Sequence, residues 1–206
     1  MSRSSAGPIL ETLALFLLVA VVQALAGLVG AVAGLFVLST PVSQNPWTVV
    51  TSVYAHGGLG HLVSNSVALV VFGWPVARAT TRLRFHLFFV VTGALAGISQ
   101  VWFGGVLGAS VGVLGASGAV FALLGYLLAS NPVAEGLSSI VKVPTWLVAL
   151  VFFSLAGVVT LATASPRAAL IAHFTGFLIG LVAGRARLLY VPPRARDRPA
   201  QGDSRL

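Results

Sequence analysis

The chain contains no cysteine, a single methionine, a single lysine and only four acidic residues among 206. Without cysteine there is no disulfide, no thiolate metal site and no cysteine nucleophile. Charge of either sign is scarce. Only 8% of residues are charged, where a soluble domain carries about a quarter. What fills the space is apolar: 57% of the chain is hydrophobic and its mean hydropathy is +1.00. That composition excludes a water-soluble globule. It defines an all-α integral membrane protein whose body is one membrane domain.

Six apolar segments are readable, each near the roughly 20 residues needed to span a bilayer. They run from about Ile9 to Leu38, from Trp47 to Arg78 (helical from near Gly60), and from Phe85 to Phe103. The others run from Gly115 to Ser130, Pro144 to Thr163, and Ala168 to Leu189. Pro132 stops the fourth, and Pro144 suits the first turn of the fifth. The expected organisation is a short cytoplasmic N-terminus over 1–8 and a six-transmembrane-helix bundle over 9–189. A basic, proline-rich tail over 190–206 follows, solvated and disordered in composition.

The formal charge is +8. The basic residues cluster beside apolar runs, so this excess reads as a topological signal and not as a nucleic-acid footprint. With the N-terminus in the cytoplasm, every Lys and Arg falls inside except Arg167. Both termini are then cytoplasmic and the number of spans is even. Trp47 and Trp102 would sit near the outer interface, Trp74 and Trp146 near the inner one. Arg3 followed by an apolar run and Ala24-Leu25-Ala26 mimics a secretion signal, but the run continues far past a normal signal core. Arginine outnumbers lysine eleven to one, a bias expected of a GC-rich bacterial genome, with the plasma membrane as the expected location.

In so apolar a chain, polar side chains inside the spans are functional candidates. The orientation puts His56 and His61 toward the outer end of the second helix. It puts Ser117 in the first turn of the fourth and His173 about one turn into the sixth. His61 and Asn65 are four apart, on one helical face, and both can donate hydrogen bonds. Gly118, Ala122 and Gly125 form a small face on the fourth helix, and Gly176, Gly180 and Gly184 form one on the sixth. Two such faces bring helices close, within reach for Ser117 and His173 to form a nucleophile–base pair. A single membrane serine is ordinarily a back-bonded packing residue, and a single histidine or asparagine is ordinarily interhelical glue. The shared depth of all four distinguishes them. His86, beside Arg84, reads as an interfacial histidine. The carboxylates are Glu11, Glu135, Asp197 and Asp203, and the topology places none of them near His173. A Ser-His-Asp triad, a paired-aspartate site and an H-E-x-x-H zinc site are therefore excluded. A serine–histidine dyad with neither metal nor cofactor remains.

These residues also carry a resemblance. His56-Gly57-Gly58-Leu59-Gly60-His61-Leu62-Val63-Ser64-Asn65 resembles the second-helix signature of rhomboid intramembrane serine proteases. Gly115-Ala116-Ser117-Gly118 with Phe121 resembles their nucleophile motif, and Ala172-His173-Phe174-Thr175-Gly176 their sixth-helix histidine motif. The three occur in the family's order. The resemblance, to the bacterial six-helix core type, implies Ser117 as nucleophile and His173 as general base and then acid. It implies an oxyanion hole of His61, Asn65 and the Ser117 N–H, space for the substrate backbone at Gly115, and support from His56. It implies single-pass transmembrane protein substrates, cut within or near their spans after local unwinding. The chain departs from many relatives at Ala77, where an acidic residue is common, and at Phe121, where some carry tyrosine. Its first loop is also short, without a Trp-Arg pair.

Two other readings compete. A catalytically inactive relative would bind membrane clients without cutting them, yet this chain retains both serine and histidine. A small transporter would need polar residues through both membrane halves, whereas here they concentrate in the outer half.

Overall fold

A helix that is apolar all round has no face to offer water, and helices of this kind make up the described protein. A computed structural model describes residues 6–106, 112–130, 144–162 and 169–191. Within them α1 is Gly7–Leu28, α2 is Val32–Phe36 and α3 is Thr48–Tyr54. The long helix α4 is Leu59–Ala79, with one π turn at Leu69–Gly73. Then follow α5, Arg82–Val106; α6, Ser117–Ala129; α7, Thr145–Ala162; and α8, Leu170–Arg185. Among the described residues the only extended pairing is one antiparallel bridge, Leu38 with Val113.

Three of these helices, α1, α4 and α5, are long and apolar enough to cross a membrane, and α6, α7 and α8 are shorter apolar helices. Leu10, Leu17 and Leu25 of α1 and Leu83, Leu87 and Val91 of α5 point outward. Facing water, a surface of this kind would aggregate. Facing lipid it is at rest, and the helical backbone satisfies its own polar groups. The protein is thus an all-helical membrane protein.

The segment expected as one helix from Ile9 to Leu38 is two. Gly30 adopts φ 70°, a left-handed conformation that ends a helix, and α2 restarts beyond it. Continuous hydropathy hid this break because the residues on both sides are apolar. Likewise the stretch from Trp47 to Gly60 holds α3, tied to α2 by Trp47 Nε1 donating to Gly34 O at 2.9 Å and Thr51 Oγ1 donating to Leu35 O at 2.6 Å.

Buried aromatic and aliphatic side chains of α1, α4, α5 and α6 form the main core, with Phe16, Phe85, Phe89 and Leu123 sealed inside. A second cluster joins α6, α7 and α8 through Ala156, Phe177 and Leu181. The closest approach is between α6 and α8. A Cβ added at Gly176 would strike the Gly118 carbonyl, one at Gly180 the Ala122 carbonyl, and one at Gly125 the Phe177 carbonyl. The two small faces meet backbone to backbone.

After α8 the chain turns and stays packed. Leu189 and Val191 are buried, and the Val191 N–H donates to Ala79 O at 3.2 Å. Arg3, Pro132, Glu135, Lys142, Arg167 and the tail from Pro192 lie outside the described residues.

Candidate active site

Ser117 is the first residue of α6 and His173 lies in the first turn of α8. The glycine seam therefore presents both at the same end of the paired helices. His173 Nε2 and Ser117 Oγ are 3.0 Å apart, hydrogen-bond distance for a hydroxyl donating to an imidazole nitrogen. His173 is 8% exposed, and its Nδ1 is buried without a partner. Phe121, one turn below Ser117, stacks on the imidazole with ring centroids 4.4 Å apart and planes inclined by 14°. Glu11 is the only carboxylate side chain among the described residues. It is engaged elsewhere, by Arg82 Nε at 2.8 Å and His86 Nε2 at 2.7 Å. His86, read from sequence as a bland interfacial residue, is thus one member of an ionic cluster.

Gly115 has φ 129°, a conformation open to glycine and strained for other residues. An added Cβ would also meet His61 Cε1 at 2.5 Å and Nε2 at 2.8 Å. The edge of the His61 ring therefore lies against the extended segment that leads into Ser117. That segment is fastened by Gly115 N–H to Ser52 O at 2.8 Å and by the paired Leu38–Val113 bonds, each 2.9 Å. The N–H of Ser117, at the start of α6, belongs to the first turn, whose donors lack intrahelical acceptors.

On α4, Asn65 is buried and its Nδ2 donates to His61 O at 2.9 Å. One of the two amide hydrogens is thereby used within the helix, and the amide carries a second. The Gly57 N–H donates to His61 Nδ1 at 3.3 Å. In a neutral ring this acceptor role assigns the proton to Nε2, the nitrogen lying against Gly115. His56 is buried edge-to-face between Phe16 and His61, at 4.8 Å and 5.2 Å, with both ring nitrogens unpartnered. A cavity of about 10 Å³ lined by Ser52, Gly115, Ser117 and Ala172 lies beside the serine, room for about one water. A wider cleft of about 490 Å³ between α1, α3 and α5, lined by Glu11, Leu18, Tyr54 and Arg82, contains none of these residues.

All seven residues singled out from sequence fall in one neighbourhood joined by these contacts. Two glutamines were missed. Gln100 Oε1 accepts the Ala172 N–H at 3.2 Å, next to His173. Gln23 pairs with the His56 peptide, donating from Nε2 to its O at 3.3 Å and accepting its N–H on Oε1 at 3.0 Å. Both stand inside apolar helices, and that alone was a usable signal.

A membrane-embedded helical bundle with a serine and a histidine in contact near one end is the class this geometry defines. A Rhomboid domain matches residues 43–190, so the chain belongs to the rhomboid family. It is 30% identical over 158 residues to RHOMBOID-like protein 5 of Arabidopsis thaliana, covering 71% of this chain and 49% of that protein. It is 33% identical over 95 residues to RHOMBOID-like protein 4, covering 46% of this chain and 23% of that protein. It is 32% identical over 82 residues to RHOMBOID-like protein 6, mitochondrial, covering 40% and 25% respectively. The chain thus spans half or less of the length of these relatives, which are plant proteins.

Proposed function

We propose that this protein is an intramembrane serine endopeptidase that cleaves single-pass membrane proteins within or near their transmembrane segments. The observation that carries the proposal is the 3.0 Å contact between Ser117 Oγ and His173 Nε2, made by residues of two helices packed backbone to backbone. His173 Nε2 takes the hydroxyl proton as Oγ attacks the scissile carbonyl, then returns it to the leaving amine. The same nitrogen next deprotonates the water that releases the acyl-enzyme. Among the described residues no carboxylate contacts His173 to steady the transient imidazolium. The stacked face of Phe121 supplies part of that stabilisation, as aromatic faces do for cations.

The tetrahedral oxyanion is held by His61 Nε2–H, the Ser117 N–H and the remaining Asn65 amide hydrogen, donors set before the charge develops. Gly115 leaves the passage for substrate backbone free of side chain, and His56 backs His61. The chemistry needs no cofactor and no metal. In this reading the chain crosses the plasma membrane six times with both termini cytoplasmic, and the site opens toward the outer face, where water and an unwound substrate helix meet.

Reconstitution with a fluorescent single-pass substrate in lipid vesicles tests the reading. Wild-type protein cleaves it, and Ser117→Ala lowers the rate by on the order of 10⁴-fold or more. Cleavage that persists in Ser117→Ala would remove the nucleophile assignment. Binding of the substrate without any cleavage by wild type would instead favour an inactive client-binding relative.

A further inference from the structure

Gln23 is half-buried, and what distinguishes it is what it holds. It is a polar side chain about three-quarters of the way along α1, outside the residues matched by the Rhomboid domain. A primary amide in an apolar span needs partners, and its partners are the two backbone polar groups of one residue, His56 N and His56 O. These are paired as a strand would pair them. The clamped residue is followed by Gly57, whose N–H donates to His61 Nδ1. The His56 ring, wedged between Phe16 of α1 and the His61 ring, gives a second link from α1 to the same imidazole.

We infer that Gln23 is a positioning residue for the oxyanion site: by clamping the His56 peptide it fixes the Gly57 N–H on His61 Nδ1 and so keeps the His61 proton on Nε2. The inference rests on the protease reading for its kinetic consequence, but not for its tautomer. An imidazole in water exchanges tautomers freely, and only a ring whose Nδ1 is held as an acceptor offers Nε2–H as a permanent donor. The neighbouring peptide is in an irregular stretch, residues 55–58, between α3 and α4. No helix or sheet of its own holds it there. Gln23 supplies from α1 the hydrogen bonds that regular structure supplies elsewhere.

The test uses the full chain labelled with ¹⁵N-histidine, in which only four histidines contribute ring signals. Assignment by His56→Ala and His61→Ala identifies the pair of interest. Wild type shows His61 with a protonated Nε2 and an acceptor-type Nδ1. Gln23→Met preserves volume and removes both hydrogen bonds. It gives averaged His61 ring signals, and kcat for the single-pass substrate falls about tenfold with KM unchanged. That is a fraction of the 10²–10³ that loss of an oxyanion donor costs. Gln23→Glu keeps an acceptor for the His56 N–H and gives an intermediate loss, which keeps the test open should Gln23→Met not fold. Unchanged His61 signals in the substituted proteins overturn the inference, as does loss of Tm alone with kcat intact. An inactive wild type with the expected ring signals would instead count against the protease reading and leave the clamp standing.

Discussion

The two sides of the site are held by different physics. Ser117 and His173 stand on α6 and α8, whose backbones touch through Gly118, Gly125, Gly176 and Gly180. His61 and Asn65 stand on the N-terminal half of α4, where Leu59, Val63 and Val67 are exposed and Asn65 is the only buried residue. The dyad is therefore placed by steric contact between main chains, which leaves no room for adjustment. The α4 side, the oxyanion side in the proposed reading, is held by directional hydrogen bonds from Gln23 and Gly57. Close-packed contact tolerates little change in volume, whereas a hydrogen-bonded loop gives way locally. In the proposed reading the Ser117–His173 pair should be the rigid half of the site, and the α4 side the half that yields when a substrate enters.

This comparison breaks first at the seam. Gly176→Val puts side-chain atoms where the Gly118 carbonyl lies. It should remove activity and lower stability by about 3 kcal/mol, read by cleavage and by thermal unfolding in the same detergent. Gly157→Ala on α7, with nothing within 4 Å of the added methyl, should stay within about 0.5 kcal/mol of wild type. Equal stability of the two variants would mean that the seam is not the rigid element. On the α4 side, His61→Ala should lower kcat about 10²-fold while stability moves by less than about 1 kcal/mol, because the ring is only partly buried. A large drop in stability there would erase the distinction between the two sides.

Phe121→Leu keeps bulk beside His173 but removes the stacked face. Aromatic contacts of this kind are worth about 0.5–1.5 kcal/mol, so kcat should fall about 2- to 10-fold in steady-state assays. The smallest effect belongs to the ionic cluster at the opposite end of α1. Glu11→Gln, at a pair whose Arg82 side chain is 71% exposed, should change stability by no more than about 1 kcal/mol and leave kcat alone. A loss of cleavage in this variant would mean that the two ends of α1 are coupled.

Part of the site was legible from spacing, and Gly115, His56 and Phe121 only from the family resemblance. His61 and Asn65 four apart, Ser117 in the run Gly115-Ala116-Ser117-Gly118, and the small faces of two apolar segments all point to the assembly found here. The reason is that helical periodicity converts sequence distance into a shared face. The break at Gly30, the helix α3 and the pairing of His86 with Glu11 were not legible. Each falls where hydropathy is uniform or where the partner is remote; Glu11 and His86 are 75 residues apart. The two glutamines were visible as polar residues in apolar helices, but their partners, 33 and 72 residues away, could not be read from either segment.

Composition and periodicity are local quantities. By themselves they determined that this protein lives in a membrane, where most of its long helices lie, which faces are small, and which few side chains could carry chemistry. The tertiary structure decided which of those side chains touch. It set Ser117 Oγ against His173 Nε2, laid His61 along Gly115, and gave Gln23 the His56 peptide to hold. Such contacts depend on how whole helices cross and on backbone turns at single residues, which no window of sequence contains.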